Sequence, residues 1–351
     1  MNRTGVFASA LAAACLTAPA LHAQEKTEFK VAWSIYVGWM PWGYMEESGI
    51  MDKWAAKYGI DVEIVQVNDY IESINQYTAG AFDGVSATNM DTLSIPSGGG
   101  VDTTALIVGD YSNGNDAVIL KGEGDLTSLA GKPVHLVELS VSHYLLARGL
   151  DSVGLSERDL AGVINTSDAD MIAAYATDEV EAVVTWNPLV STILEEPGAN
   201  KLFDSSDIPG EIIDLMVVNT DTLAANPDFG KALVGAWYET MALMAAGDAA
   251  ALTAMAEASG TDLAGYKAQL ASTEMFYTPA EAIEFTESFE LPTTMVNVAE
   301  FLYDKGILGE GAPSADFVGV AYPDGSTSGD ETNVQFRFDT TYMRMAAEGQ
   351  L

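Results

Sequence analysis

The sequence predicts an α/β fold in two lobes, on three observations. Short apolar runs alternate with helical patterns from residue 29 onward, the grammar of a parallel sheet covered by helices on both faces. Roughly 330 residues remain after a leader, more than one domain usually holds. A polar, glycine-rich break between Asp110 and Asp116 interrupts the pattern, and an apolar run at 215–218 offers a way back. Lobe 1 is therefore expected at residues 26–115 plus 217–351 and lobe 2 at 116–216, with two crossing strands as a hinge.

Each element has its own justification. Residues 29–35 form the first strand, because Val31, Trp33 and Ile35 alternate. Pro41 and Gly43 then punctuate an aromatic loop. Tyr44, Met45, Met51 and Trp54 recur at helical spacing up to the stop at Tyr58-Gly59. A second strand follows at 60–67, a helix from Asn68-Asp69-Tyr70 to Thr78, a third strand at 84–88 opening a helix at Asn89, and a fourth strand at 105–108. In the second lobe, 117–120, 134–137 and 182–185 read as strands. Residues 144–150 and 171–176 read as helices, the first of them with serines at its start. The run at 215–218, with Asp214 just before it, reads as the last strand. From Pro227 to about Leu308 the pattern is helical, and 311–333 is loop-rich. No period of 20 to 50 residues recurs, which excludes a solenoid.

Composition excludes several classes of function. The first 23 residues combine Arg3, an apolar stretch from Val6 to Leu16 and small residues at Ala18, Ala20 and Ala23, the features of a secretory signal peptide. Cleavage is expected after Ala23, with Ala18-Pro19-Ala20 as the alternative. The single cysteine, Cys15, lies inside this leader, so the exported chain has no thiol for a disulfide, a cysteine metal site or a nucleophile. Only His135 and His143 remain as histidines. With 51 acidic against 15 basic residues the formal charge is -36, which argues against nucleic acid or anionic membrane as a partner. Most of these carboxylates are explained by solvation. There is no G-x-S-x-G, H-E-x-x-H or glycine-rich phosphate loop. The chain is thus expected not to be an enzyme and to need neither metal nor cofactor.

Three stretches carry a family resemblance. Ser140-Val141-Ser142-His143-Tyr144-Leu145-Leu146 resembles a segment of the periplasmic binding proteins for nitrate, sulfonate, taurine and thiamine-pyrimidine precursors. The run at 170–188, a helix, an acidic turn and a strand ending in Trp186-Asn187-Pro188, is similar to another part of that family. So is 81–89, a small-residue strand that opens a ligand-facing helix. The resemblance implies a type II periplasmic binding protein: two Rossmann-like lobes joined by two crossing strands, monomeric, delivering a small-molecule solute to a cognate ABC permease. The whole sequence also resembles receptors encoded beside urea carboxylase, for which urea or guanidine is the implied cargo. The family includes a fungal pyrimidine synthase relative, whose chemistry needs a cysteine-rich motif that is missing here. A sensory partner of a membrane receptor would need the same closing cleft.

The residues themselves bear on the solute. In open α/β sheets ligands sit beyond the carboxyl ends of the strands. The segments expected there, 34–43, 68–70, 86–91, 138–143, 186–188 and 212–214, contain no Lys or Arg. They contain the acids Asp69, Asp91, Glu138 and Asp214, the rings Tyr36, Trp39, Trp42 and Trp186, and the polar groups Ser34, Asn89, Ser140, Ser142, His143 and Asn187. Buried carboxylates facing an anion would be costly, whereas facing a cation they offset their own desolvation. These residues are therefore expected to bind a small planar nitrogen cation such as guanidinium. Urea, a short amine or a thiamine-type pyrimidine is the alternative cargo. Several candidates also have plain structural uses: Trp39 and Trp42 as packing beside a proline, Asp69, Ser140 and Ser142 as helix caps, Asp91 as a first-turn acid, and His143 as a hydrogen-bonder.

Overall fold

The computed structural model describes residues 26–309 and 311–351. The expected leader at 1–23 lies outside them. Two sheets divide these residues. The larger has nine strands. Its central order runs Val334–Phe338, Thr103–Ser112, Ile213–Asn219, Gly84–Thr88, Glu28–Trp33 and Asp61–Gln66. The smaller has five, in the order Gly162–Asn165, Pro133–Leu136, Ala182–Trp186, Asp116–Lys121 and Ala199–Asp204. The architecture is mixed α/β with helices packed on both sheets.

Neither sheet is purely parallel, and the reversed strands have a common cause. Ile213–Asn219 runs antiparallel to both neighbours in the larger sheet. Asp116–Lys121 does the same in the smaller. Each is the strand by which the chain enters its sheet from the other one. The strands beside it end at the junction, so a strand that begins there must point the opposite way. The crossings are tied to each other. Ser112 Oγ donates to Asp116 Oδ2 at 2.5 Å and lies 2.7 Å from Ser205 Oγ, which accepts the Gly114 amide at 2.7 Å.

Local chemistry explains the elements that frame the junction. Asp69 accepts the Glu72 amide and starts the helix Tyr70–Thr78. Ser140 accepts the Ser142 amide and starts Val141–Ser152, whose Leu145, Leu146 and Leu150 are buried. Pro41 sits in the first turn of the helix Met40–Glu47, where its missing N–H costs nothing, so the expected loop is helical. That helix stops at Gly49, whose φ of 75° suits glycine, and Ile50–Tyr58 follows.

The C-terminal third departs furthest from expectation. The strand read as the last one is followed by four more strands among the described residues. Thr273–Met275 pairs with Thr103–Ser112. Val334–Phe338 pairs with that same strand on its open side, and Gly319–Ala321 extends the sheet further. The tail therefore builds the sheet edge. Asp214 lies inside its strand, directly opposite Asp110. No helix among the described residues is long and apolar enough to cross a membrane.

Candidate functional site

The junction between the sheets holds a small cavity of about 10 Å³, lined by Tyr36, Trp39, Tyr70, Thr88, Asp116, Val141, Trp186, Ile212 and Asp214. Four rings form a continuous wall. Tyr36 meets Trp39 edge-on at 5.1 Å, Trp39 lies 5.7 Å from Tyr70, and Tyr70 meets Trp186 edge-on at 5.4 Å. The first three come from the larger half and Trp186 from the end of a strand in the smaller. The halves are bonded across the gap. Trp186 Nε1 donates to the Ile35 carbonyl at 3.1 Å, the Val37 amide to the Asn187 carbonyl at 3.3 Å, and the Tyr70 amide to Asp168 at 3.3 Å.

Carboxylates, with no basic residue among the lining, set the electrostatics. Strand register puts Asp214 opposite Asp110, so two acids are neighbours in an antiparallel pair, an arrangement that like charges normally destabilise. Asp110 is 0% exposed and Asp214 3%. Tyr36 OH donates to Asp110 Oδ1 at 3.1 Å, while Asp110 Oδ2 and Asp214 Oδ2 have no hydrogen-bond partner. Burial pushes both acids well above the ordinary carboxylate range, and for Asp214 the facing Asp110 pushes further. The empty pair therefore favours the protonated form far more than exposed acids do. Asp116, buried where the first crossing enters the smaller sheet, is pushed up to about 7 by burial, against the Ser112 hydroxyl that lowers it. Gly38 is what lets Asp110 sit here, since a Cβ at that position would lie 2.5 Å from Asp110 Oδ2.

The cavity brings together Tyr36, Trp39, Trp186 and Asp214 of the residues singled out from sequence. Asp91 touches three of its lining residues, accepting Tyr70 OH at 2.7 Å, Thr88 Oγ1 at 3.0 Å and the Val141 amide at 3.1 Å through Oδ2. The other candidates lie elsewhere. Trp42 stacks on Trp237 at 4.9 Å inside the larger core. Asp69 and Ser140 cap helices. Glu138 is exposed. His143 accepts the Leu139 amide through Nδ1 and faces Glu157 through Nε2 at 2.9 Å. Asn89 holds the Glu211 carbonyl and the Ile213 amide, and Asn187 binds Asn115 and Ser191. Ser34 and Ser142 are buried with unpartnered hydroxyls and do not line the cavity.

Tyr70, Thr88, Val141 and Ile212 lie within segments that sequence reasoning assigned to the rim, but were not singled out. Asp110 and Asp116 were missed although they bracket the very break read as the crossing. An acid at each end of a chain crossing was the available signal.

A family model for the NMT1-like family matches residues 23–259. The chain belongs to that family. Among curated proteins, a Brucella abortus (strain 2308) chain named only as a binding protein is 25% identical over 183 residues, 51% of this chain and 56% of that one. The match thus spans about half the length of these curated relatives. Among solved structures, this NMT1-like chain is similar to the alkanesulfonate-binding protein SsuA from Xanthomonas axonopodis pv. citri bound to MOPS. Its TM-score is 0.67 at 17% identity, covering 82% of this chain and 96% of that one. The periplasmic nitrate-binding protein NrtA from Synechocystis PCC 6803 gives a TM-score of 0.63 at 14% identity, covering 93% and 89%. These likenesses show the periplasmic binding protein fold.

Proposed function

We propose that this chain is the periplasmic solute receptor of an ABC importer and that its cargo is a small, planar nitrogen cation of the guanidinium type. The two sheet-bearing halves act as lobes that close on the solute, and a single protomer hands it to a cognate permease. Family membership and fold support the receptor role. The cargo rests on one observation: the buried acids Asp214 and Asp116 line a cavity walled by four aromatic rings with no basic residue in the lining, and Asp110 stands directly behind Asp214. A desolvated carboxylate costs several kcal/mol unless a counter-charge arrives. A flat cation supplies that charge, donates in-plane to the carboxylates and lies against the rings. The sulfonate and nitrate named for the structural neighbours would meet like charge here.

Urea is a second reading, favoured by Trp39 Nε1, which is buried without an acceptor, and by the burial that raises Asp214 and favours its neutral form. Urea offers a carbonyl to such a donor and needs less negative charge. Calorimetry at pH 8 with guanidinium, urea, methylamine, nitrate and methanesulfonate tests the proposal. Guanidinium is expected to bind most tightly and the two anions not at all. Tighter urea binding would transfer the assignment to urea, and anion binding would end the cation reading.

A further inference from the structure

The helix Val141–Ser152 belongs to the smaller half, and its start faces Asp91 of the larger. The first amides of a helix have no partner within it and carry partial positive charge, so they attract an anion. Here one is already in place. Asp91, 1% exposed, takes the Val141 amide at 3.1 Å while Tyr70 OH and Thr88 Oγ1 hold the same oxygen at 2.7 and 3.0 Å. The turn that leads into this helix start is strained, with Leu139 at a φ of 60°. Tyr70 and Thr88 also line the cavity, so the contact sits against the solute's wall.

We propose that Asp91 is a resident anion: a positioning residue that occupies the helix start of the opposite half, latches the halves together and fills the seat an anionic solute would otherwise use. The proposal deepens the receptor reading and rests on its closing cleft. The bond to Val141 exists only while the halves touch, so its free energy favours the closed form. The carboxylate also holds Tyr70 by its hydroxyl, fixing one ring of the cage. The geometry therefore makes Asp91 act on the solute through Tyr70 and through closure, without touching it.

Chemical rescue tests this. Asp91→Ala leaves a carboxylate-sized gap that free formate fits. In the full exported chain, the variant is expected to bind guanidinium about tenfold or more weakly. Adding ~50 mM formate is expected to recover most of that loss, to lower the radius of gyration measured by X-ray scattering and to raise the melting temperature, with no such effects on the wild type. A folded variant that keeps wild-type affinity, or whose lost affinity and compactness formate leaves unrestored, overturns the proposal. If Asp91→Ala does not fold, the isosteric Asp91→Asn carries the test. It is expected to bind about tenfold more weakly and to ignore formate, because its amide still fills the seat; unchanged affinity overturns the latch. A wild type that ignores guanidinium, beside a variant that formate compacts and stabilises, would sink the cargo assignment and leave the latch standing.

Discussion

The two ends of one strand make the most instructive contrast in this molecule. At the start of Thr103–Ser112, Asp102 is held by Arg337 through two bonds of 2.9 and 2.7 Å, with Thr220 Oγ1 donating at 2.7 Å. About 26 Å further along, at roughly 3.3 Å per residue, Asp110 faces Asp214 and no base at all. The first acid is about one third exposed and paired. The second is wholly buried and stands beside a like charge. A partly exposed ion pair is an ordinary surface device of small worth, whereas an uncompensated buried pair persists only where something else depends on it. The far end of the strand shows how this chain neutralises an acid when only the fold is at stake. The cleft end lacks that solution, and the difference locates the solute's charge.

The largest expected effect removes half of that pair. Asp214→Asn keeps shape and deletes the charge. Guanidinium affinity, read by calorimetry, is expected to fall by about 3–5 kcal/mol, the usual scale for truncating a desolvated partner. The empty variant is expected to melt higher than wild type at pH 8, because a repulsion has gone. A loss of both affinity and stability would mean that Asp214 is only structural and would dissolve the contrast.

Next comes pH. Burial raises Asp110 and Asp214, the facing Asp110 raises Asp214 further, and burial raises Asp116 to about 7. Between about pH 4, where such acids ionise in the unfolded chain, and pH 7, the folded state binds the extra protons. Stability of the empty protein is therefore fully present below about pH 4 and is lost as pH rises from there to the folded values near 7. A cation must displace a proton from the acid pair, so its affinity moves the other way, rising about tenfold per pH unit from 5 to 7 if one proton leaves. Thermal melts and calorimetry across that range should show opposite slopes. A flat binding profile would favour neutral urea.

Much of this fold was legible because alternating strand and helix patterns are local. The strand Gly84–Thr88 and the helix Tyr70–Thr78 have the bounds read from sequence. What escaped was pairing between distant pieces. Thr273–Met275 is three residues long, and Val334–Phe338 alternates with polar residues; both are strands because Thr103–Ser112 offers them an edge. The site shows the same division. Rim segments were readable, but the Asp110–Asp214 contact depends on register across a hundred residues. Trp39 and Trp42 could not be told apart while Pro41 was read as a loop. With Pro41 in the first turn of a helix, Trp39 faces the cavity and Trp42 the core.

Gly38 offers a subtler way to disturb the cleft end. Gly38→Ala would bring a methyl group within 2.5 Å of Asp110 Oδ2 and 2.6 Å of the Tyr36 ring. The acid or the ring must move, and overpacking of this kind costs about 1–3 kcal/mol. The loss is expected mainly in guanidinium affinity, because Tyr36 lines the cavity and Asp110 stands directly behind Asp214. Equal affinity with a lower melting temperature would show that Asp110 is free to shift without consequence for the solute.

The smallest expected effect lies at the other end of the strand and completes the contrast. Asp102→Asn breaks the pair with Arg337, whose guanidinium is about one third exposed and can rehydrate. Exposed pairs of this kind contribute about 1 kcal/mol or less, so the melting temperature should drop by about 2 °C or less. Guanidinium affinity should not change, because nothing at this end reaches the cavity. If Asp102→Asn weakened binding as much as Asp214→Asn, the acids along this strand would act through the sheet as a whole, and the charge assigned to the cleft would lose its special standing.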